Sequence, residues 1–334
     1  MKKNIVLFLL TLIFGALLFY FVLDKVGTKE IWQAFLSFSP VGIFWILILT
    51  IIYTIFGIWR WQVIIKGMGS HFSLKDISGA WLAGFGLGYL TPIAVLGGEA
   101  VRSYIIKKKK NFPWKEGIVS IFIDKVFEGT TFFLITILGI IFFISKVMAV
   151  PLKIWVVLLI LLFPIGGITF FYLRAYRSQS MVKFIQLPLK KFIQSKNVHQ
   201  KVNGLLNSSE KIVFNFFEVK NKYTRQCILL SLIRGAISII RSWFLVLFLG
   251  FKIGIISALS ITAFTNISYL IPLPAALGSH EAIQAFVFPS LNLSSHSAIA
   301  FALILRAFDM LMAFCGVFVV LKLGTQWIKK KIIE

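Results

Sequence analysis

Apolar runs of about 20 residues recur along this chain and limit its fold more than any other feature. Of the 334 residues, 58% are hydrophobic and only 14% are charged, a composition unlike that of soluble domains. Because helices satisfy their backbone groups internally, runs of this length favour spanning helices over a barrel. The sequence predicts an all-α integral membrane protein in which residues 1–334 form a single polytopic domain.

Six runs are predicted to span the membrane. The first, Asn4–Leu23, follows two lysines as a signal peptide does, but its apolar core is longer and no small-x-small cleavage site follows it. We therefore expect an uncleaved helix. The other five spans are Val41–Ile65, Gly117–Ile144, Leu152–Leu173, Cys227–Gly250 and Ala298–Leu321.

Two further apolar stretches, 77–96 and 255–290, are predicted to be re-entrant hairpins that enter from opposite sides. Basic residues are enriched in the cytoplasmic loops of membrane proteins. With both stretches re-entrant, the loops on one side hold 25 bases and those on the other hold five. A full crossing at 77–96 would remove this bias. We therefore expect both termini on the cytoplasmic side of the inner membrane, and both hairpins buried among helices or lining a wet cavity.

The connector 174–225 carries eleven bases and has apolar residues at roughly helical spacing. It is predicted to lie on the cytoplasmic membrane surface, either in contact with anionic headgroups or as a connector that obeys the positive-inside rule. The net charge of +23 does not point to nucleic acid, because the bases flank apolar runs instead of forming a soluble basic domain.

A repeated motif links the two hairpins. The stretch YLTPIAVLGGEAVRSY begins at Tyr89 and YLIPLPAALGSHEAIQAF begins at Tyr269. Two copies that enter from opposite faces form an inverted repeat, and transporters with such repeats bind substrate near the midplane, where broken helices meet. With small gaps, the aligned pairs are Tyr89 and Tyr269, Leu90 and Leu270, Pro92 and Pro272, Leu96 and Leu277, Gly97 and Gly278, and Glu99 and Glu281.

Proline and glycine explain why a helix would stop inside these hairpins. Proline removes a helical hydrogen bond and glycine permits a tight turn, so freed backbone groups can bind a polar headgroup. The predicted break and turn residues are Pro92, Gly97, Gly98, Pro272, Pro274 and Gly278. Glu99 and Glu281 follow the breaks, where a carboxylate complements the positive end of a helix dipole. The alternative is that both glutamates only cap the half-helices.

Ten ionisable residues lie in or at the edge of the apolar segments, where an unpaired charge is costly. Asp124 and Glu128 share a helix face at i,i+4 and need a cation. Arg234 and Arg241, seven apart, could each meet these acids or a phosphate, whereas Arg306 and Asp309 could satisfy each other at i,i+3. A structural ion network and a substrate site remain alternatives. The candidate substrate-binding residues are Glu99, Arg102, Asp124, Lys125, Glu128, Arg234, Arg241, Glu281, Arg306 and Asp309.

Soluble-enzyme motifs and cofactor sites are not predicted. The sequence holds no Gly-rich phosphate loop, HExxH or nucleophile elbow. Cys227 and Cys315 lie in apolar segments, which favours packing over disulfide or metal chemistry. His280 is interpreted as a loop histidine, with a proton relay as the alternative. We expect no cofactor and no metal.

The motifs GGEAVRSYIIKKK, IDKVFEGTTFF and IPLPAALGSHEAIQAF resemble, in this order, the membrane region of lysylphosphatidylglycerol synthase/flippase proteins and their stand-alone relatives. The resemblance covers Asn4–Leu321. It implies movement of aminoacylated phosphatidylglycerol or other lipids between leaflets. Lys125 departs from the arginine more common there. Only LKLGTQWIKKKIIE remains from Leu321 onward, so we expect no lysyl transfer by this chain alone. The matching polar positions are Glu99, Arg102, Asp124, Lys125, Glu128, Gly278, Glu281, Arg306 and Asp309.

Three functions follow as hypotheses. The first is a flippase-like lipid transporter whose partners are membrane lipids with anionic or lipid-linked headgroups, bound where the hairpins meet. The second is a membrane component of a lipid-modifying transferase, with Asp124 and Glu128 as acid and base. The third is a non-transporting partner that anchors a lipid-modifying enzyme through the connector 174–225.

Overall fold

The computed structural model describes residues 38–90, 97–147, 165–175, 179–180, 196–218 and 221–333, together with the isolated positions 20, 29, 33, 36 and 177. These residues form helices and the turns between them, with no β-strand in the described ranges. The predicted all-α class is confirmed. The proposed span Asn4–Leu23, apart from position 20, and the first part of Leu152–Leu173 lie outside the described residues.

Ten helices are numbered here within that part of the chain. They are α1 Pro40–Gly67, α2 Leu74–Leu90, α3 Gly97–Lys110, α4 Trp114–Val147, α5 165–175, α6 Lys196–Phe217, α7 Lys222–Phe248, α8 Ile255–Leu270, α9 Ser279–Ser290 and α10 Ser295–Ile333. Among them, α1, most of α4, α7 and the first 28 residues of α10 are long and apolar enough to cross a membrane. These four correspond to predicted spans.

The first hairpin consists of α2 and α3. Ser73 and Asp76 cap the start of α2 reciprocally, each side chain accepting from the backbone N–H of the other residue. Lys110, the last residue of α3, lies 2.8 Å from the Asp76 carboxylate, and its hydrogen bond lowers the pKa of Asp76 to about 2. The ion pair therefore brings the end of α3 back to the start of α2.

The second hairpin breaks at a short 3₁₀ turn between α8 and α9. Pro274 begins this turn, and Ala275, Ala276 and Gly278 have positive φ angles of 50°, 51° and 78°. Helix α8 has 16 residues and α9 has 12. At about 1.5 Å per residue, both are shorter than a hydrocarbon core of about 30 Å. The second predicted hairpin thus has a helix–break–helix form, whereas residues 91–96, between α2 and α3 of the first, lie outside the described residues.

Helices α1 and α7 pack antiparallel along their lengths. A Cβ placed on Gly42, near the start of α1, would lie 2.8 Å from the ring of Phe248, at the end of α7. A Cβ on Gly67, the last residue of α1, would lie 3.1 Å from Tyr223, near the start of α7. The helix that precedes the first hairpin therefore runs opposite to the helix that precedes the second.

Each hairpin packs against the long helix that follows the other hairpin. Helix α2 contacts α10, and α8 contacts α4. Gly86 approaches the Ala313 carbonyl so closely that any side chain would collide with it, and Gly139 is equally tight against Ala263. The order helix, hairpin, helix thus occurs twice, as α1–α4 and α7–α10, with reciprocal contacts between the two sets.

The two hairpins begin at opposite ends of the helical bundle. Lys146, at the end of α4, donates to Ser257 in the first turn of α8 at 3.3 Å. At the other end, the ring of Phe72, which precedes α2, packs edge-on against Phe112 between α3 and α4, with ring centroids 5.6 Å apart. This arrangement is the one expected of an inverted repeat.

Candidate functional site

A cavity of about 320 Å³ lies between the two helix sets. The charged part of its lining comes mainly from α4 and α7, and the aromatic part comes mainly from α2. The charged lining residues are Arg60, Glu99, Arg102, Asp124, Lys125, Glu128, Arg234, Arg241 and Asp309. Five bases against four acids give this lining a formal surplus of one positive charge.

Asp124 of α4 is bound by two arginines from different helices. Arg60 Nε of α1 lies 2.8 Å from one carboxylate oxygen, and Arg102 Nη2 of α3 lies 3.0 Å from the other. Arg60 Nη1 also donates to the Ser231 hydroxyl at 3.2 Å. Because Arg60 and Asp124 are each only 1% exposed, this contact is a fully buried ion pair that joins α1 to α4.

Lys125 of α4, next to Asp124, forms ion pairs with two glutamates. Its ammonium lies 3.1 Å from Glu99 of α3 and 2.9 Å from Glu128, one turn further along α4. Arg234 of α7 binds the other Glu128 oxygen at 2.8 Å. Arg102 also lies 3.5 Å from Glu99. The result is a continuous chain of alternating charges along the cavity wall, running through Arg60, Asp124, Arg102, Glu99, Lys125, Glu128 and Arg234.

A second ion pair closes the far side of the cavity. Arg241 of α7 lies 2.6 Å from Asp309 of α10, and the Tyr269 hydroxyl of α8 donates to the other Asp309 oxygen at 3.1 Å. Tyr53 of α1 lies under both α7 arginines, with guanidinium carbons 4.1 Å from its ring centroid for Arg234 and 5.6 Å for Arg241. Tyr53 therefore separates the two charge clusters while contacting both through cation–π interactions.

Glu281 and Arg306 form a third pair beneath the tip of the second hairpin. An Arg306 guanidinium nitrogen lies 2.6 Å from the Glu281 carboxylate, which also accepts from the Gly278 backbone N–H at 3.0 Å. Arg306 donates to the carbonyls of Ala275 and Ala276 at 3.1 Å each. Glu281 is fully buried, so this pair lies behind the cavity wall.

The structure places Glu281, Arg306 and Asp309 as follows. Glu281 and Arg306 do not border this cavity, and their part in substrate binding stays a prediction. The sequence suggested that Arg306 and Asp309 could satisfy each other at i,i+3. Each instead has a tertiary partner, because the hairpin tip carries Arg306 toward Glu281 and α7 presents Arg241 to Asp309.

The predicted partners of Asp124 and Arg241 were also wrong. Arg234 does meet Glu128, but Arg241 is engaged with Asp309. Asp124 is bound by Arg102 and by Arg60, a residue inside the predicted span Val41–Ile65 that was not among the candidate site residues. A signal for Arg60 was present in its position between Trp59 and Trp61 inside an apolar run.

The break residues are placed as follows. Pro92 lies outside the described residues, and Gly97 is the first residue of α3 rather than part of a turn. At Gly98, the α3 backbone approaches the Gly84 carbonyl of α2 too closely to admit a side chain. Pro272 and Pro274 lie in the non-helical segment between α8 and α9, and Gly278 has the positive φ expected of a turn.

The aromatic wall is a stack of rings along α2. Trp81, Phe85 and Tyr89 follow one another at i,i+4, with centroids 5.6 Å apart in both steps and interplanar angles of 9° and 25°. The Tyr89 ring then meets Tyr269, its counterpart in the motif repeat, at 6.5 Å. The two copies of the motif therefore converge at the cavity, where a flexible apolar chain has rings to lie against.

Three N–H groups on cavity-lining residues have no hydrogen-bond partner in the described part of the chain. They are Arg60 Nη2, Arg102 Nε and Trp81 Nε1. Buried donors without a partner are costly. Two further buried atoms on described lining residues also lack a hydrogen-bond partner, the Tyr89 hydroxyl and the acceptor Glu99 Oε2. The three N–H groups and the surplus positive charge suit an anionic group such as a phosphate.

His280, Cys227 and Cys315 are not among the residues that line the cavity. His280 lies in the first turn of α9 and is 1% exposed, so its interpretation as a loop histidine was wrong. Its Nε2 lies 3.3 Å from the Thr265 hydroxyl. Cys227 is buried and Cys315 exposed. Among the described residues, no group of three or more His, Cys, Asp or Glu side chains is placed to hold a metal ion.

Comparison with known proteins shows the family of the chain. The profile of the family described as lysylphosphatidylglycerol synthase TM region matches residues 8–316. The chain therefore belongs to this family of membrane proteins. Two relatives carry the description UPF0104 membrane protein. MJ1595 of Methanocaldococcus jannaschii is 24% identical over 92% of this chain and 91% of its own length. PH1989 of Pyrococcus horikoshii is 22% identical over 74% of this chain and 76% of its own length.

Proposed function

We propose that this protein moves a lipid with a polar headgroup between the leaflets of the inner membrane. The observation that carries the proposal is the chain of alternating charges facing a cavity between two oppositely directed helix sets. Charged side chains are costly inside a membrane. They rarely face lipid, and they often line the path of a substrate or ion. A headgroup needs such a polar path, because its transfer through hydrocarbon leaves charged groups unpaired.

The headgroup is proposed to bind at the donor surface formed by Arg60, Arg102 and Trp81. A phosphate there accepts from the unpaired N–H groups without breaking the ion pairs, because Arg60 and Arg102 keep their contacts to Asp124. The acyl chains would lie along the α2 rings and the lipid-facing openings between helices. Binding therefore adds charge-assisted hydrogen bonds to arginines that the protein already holds in place.

The membrane arrangement in this proposal has two re-entrant hairpins and cytoplasmic termini. The end of the bundle that holds Asp76 and Lys110 also holds Lys66, Lys115 and Lys222 and is assigned to the cytoplasm. The hairpin α8–α9 then enters from the exterior. In an inverted repeat, rocking one helix set against the other exposes a central site alternately to the two sides.

The contacts of Asp124 and Glu128 argue against the transferase hypothesis. A general acid or base must exchange a proton with its substrate. Both Asp124 oxygens are bound by arginine, and Glu128 is bound by Lys125 and Arg234. Carboxylate oxygens that are already bound by guanidinium or ammonium groups are not free to exchange a proton with a substrate.

The direct test is leaflet exchange in liposomes that contain the purified full-length chain. Headgroup-labelled phosphatidylglycerol, phosphatidylethanolamine and a lipid-linked sugar are compared, each by the fraction of label that becomes accessible to an external quencher. We expect faster exchange than in protein-free vesicles for at least one lipid. Arg102→Gln, which removes a donor, should slow that exchange, whereas Lys252→Gln on the exposed α7–α8 loop should not.

Exchange no faster than in empty vesicles for every lipid class would contradict the proposal. Normal exchange in Arg102→Gln would contradict the assigned binding surface. Absence of exchange together with co-purification of a lipid-modifying enzyme would favour the anchoring hypothesis instead.

A further inference from the structure

The turn between α3 and α4 forms an open depression on the surface of the bundle, with a volume of about 690 Å³. It is lined by Tyr104, Lys107 and Lys108 near the end of α3, by the turn 111–113, and by Trp114 at the start of α4. Among the described residues, it shares none with the cavity between the two helix sets. The depression is therefore a separate feature, which the lipid path proposed above does not involve.

The depression is positively charged. Lys107 and Lys108 are both exposed, and no acid lies among the described lining residues, so the lining has a formal charge of +2. Asp76 lies at the same end of the hairpin, but its carboxylate is already paired with Lys110 at 2.8 Å. Glu116 follows Trp114 by two residues and does not line the depression. An anionic ligand would supply the charge that this lining lacks.

Two exposed aromatic rings lie beside the two lysines. Lys107 Nζ is 5.9 Å from the ring centroid of Trp114, and Lys108 Nζ is 5.8 Å from that of Tyr104. Cation–π contacts at exposed sites are weak, and an ammonium group has three donors. The rings therefore orient the ammonium groups over the depression and leave donors for a ligand. Tyrosine and tryptophan are also the residues enriched where a membrane meets water.

A stripe of exposed apolar side chains leads away from the depression along α4. Trp114, Ile118 and Phe122 follow one another at i,i+4 and are 39%, 48% and 48% exposed. Helix α4 is one of the helices long and apolar enough to cross a membrane. The stripe therefore leads from the membrane surface into the hydrocarbon. A phospholipid has the same order of parts, with a charged headgroup at the surface and acyl chains below it.

From this geometry we infer that the α3–α4 depression is a binding site for an anionic phospholipid of the cytoplasmic leaflet. The headgroup phosphate accepts from the ammonium groups of Lys107 and Lys108, and an acyl chain lies along Ile118 and Phe122. Anionic lipids of this leaflet attract lysines beside a membrane span. An acidic segment of a partner protein would fit the lysines but would not account for the apolar stripe.

The inference rests on the membrane arrangement proposed above, which places this end of the bundle at the cytoplasmic surface, and not on lipid movement. Lys107 and Lys108 belong to the last turn of α3, and the same helix carries Glu99 and Arg102 of the cavity lining. A lipid bound at the depression thus holds the end of this helix at the membrane surface. It is an anchoring lipid, distinct from the one that moves through the cavity.

Photo-crosslinking tests the site. p-Benzoylphenylalanine replaces Tyr104 in the full-length chain, which is placed in phosphatidylcholine vesicles containing a minor share of phosphatidylglycerol. Mass spectrometry of the adducts gives the ratio of the two lipids. We expect phosphatidylglycerol to exceed its bulk share about fivefold or more, because one lysine near an anionic surface changes association about fivefold. The same probe at Leu311, an exposed residue of α10, should report the bulk share. A bulk share at both positions would overturn the proposal.

Neutralising the two lysines should remove this enrichment. In Lys107→Gln/Lys108→Gln, phosphatidylglycerol should crosslink at position 104 in its bulk share. The matched control is Lys66→Gln/Lys222→Gln, which removes the same charge from the same end of the bundle and should keep the enrichment. Equal loss in both double variants would show a diffuse attraction to surface charge and would overturn the site.

The melting temperature of each variant in detergent shows whether the protein is still folded. All four lysines are at least partly exposed, so we expect parental values. If Lys107→Gln/Lys108→Gln is destabilised, Lys107→Gln alone is measured and should lower the enrichment about fivefold. Unchanged enrichment in a folded Lys107→Gln protein would contradict the assigned contact.

A blocked cavity separates this site from the lipid path. Ser238 lines the cavity, and Ser238→Trp should leave the enrichment at position 104 unchanged. Loss of the enrichment in this variant would show that position 104 meets only the transported lipid, and would overturn a separate site. Enrichment without any lipid exchange would keep the anchoring site and reject lipid movement. Lipid exchange with a bulk share at position 104 would keep the transport function and reject the anchoring site.

Discussion

Arg60 and Asp124 lie 2.8 Å apart in the interior of the helical bundle, and each is 1% exposed. The pair joins α1 to α4, and Arg102 of α3 binds the remaining Asp124 oxygen. One carboxylate therefore connects three helices of the first set. Its neutralisation by two arginines leaves positive charge and unpaired donors on the cavity wall, which is the basis for assigning an anionic headgroup to this place.

Removing one member of this buried pair should be strongly destabilising. Arg60→Gln leaves Asp124 with one arginine, and Asp124→Asn leaves two buried guanidinium groups without their carboxylate. Losing one partner of a buried pair costs about 3–5 kcal/mol. We expect a clear fall in the melting temperature of either variant in detergent, with Lys252→Gln as the exposed control. Melting temperatures within error of the parent would show that these charges are hydrated.

Arg241 and Asp309 should be energetically coupled. Their atoms approach to 2.6 Å, and contacting residues typically show interaction energies of about 0.5–3 kcal/mol. We expect Arg241→Gln and Asp309→Asn each to lower stability, and the double variant to lose less than the sum of the two. The measurement is a double-mutant cycle on the free energy of unfolding. Additive losses would mean that the pair contributes nothing beyond its separate residues.

The hairpin ends offer a test of topology. Single cysteines at Asp76 and Lys110 should react with an impermeant reagent from the cytoplasmic side only, since the two native side chains form an ion pair at that end of the bundle. Cysteines at Lys252 and Ser290 should react from the exterior only. The experiment uses inside-out and right-side-out vesicles of protein without Cys315. Reaction of positions 76 and 110 from different sides would exclude a re-entrant first hairpin.

Gly98 should not tolerate a side chain. Its backbone lies against the Gly84 carbonyl, and a Cβ there would overlap that oxygen. We expect Gly98→Val to separate α2 from α3, lowering the melting temperature and abolishing lipid exchange. Gly129→Ala is the matched control, because nothing lies within 4 Å of a Cβ at that position. Equal stability of the two variants would contradict the close packing of the first hairpin.

Much of the helical architecture could be read from the sequence, because its signals are local. Four predicted spans match long apolar helices, and the aligned motifs at Tyr89 and Tyr269 lead into helices that start at Gly97 and Ser279. Proline, glycine and hydrophobic length act within a few residues of their own position. For this reason the repeat could be found without coordinates.

The choice of ion-pair partners could not be predicted in the same way. Arg306 has Asp309 at i,i+3, but the fold brings Glu281 and two hairpin carbonyls to it. Arg60 lies inside the predicted span Val41–Ile65, but nothing in the local sequence shows that its partner is Asp124 of α4. These ion pairs form between different helices. Which residues meet depends on the rotation and register of the helices, which local sequence patterns do not determine.

The most direct test is to fill the cavity without changing its charges. Ser238 lines the cavity on α7, so Ser238→Trp should place an indole ring in the path of the headgroup, whereas Ser238→Ala leaves the path open. We expect leaflet exchange of the transported lipid to fall to the rate of protein-free vesicles in Ser238→Trp and to stay at the parental rate in Ser238→Ala. Parental exchange in a folded Ser238→Trp protein would show that lipids do not pass through this cavity.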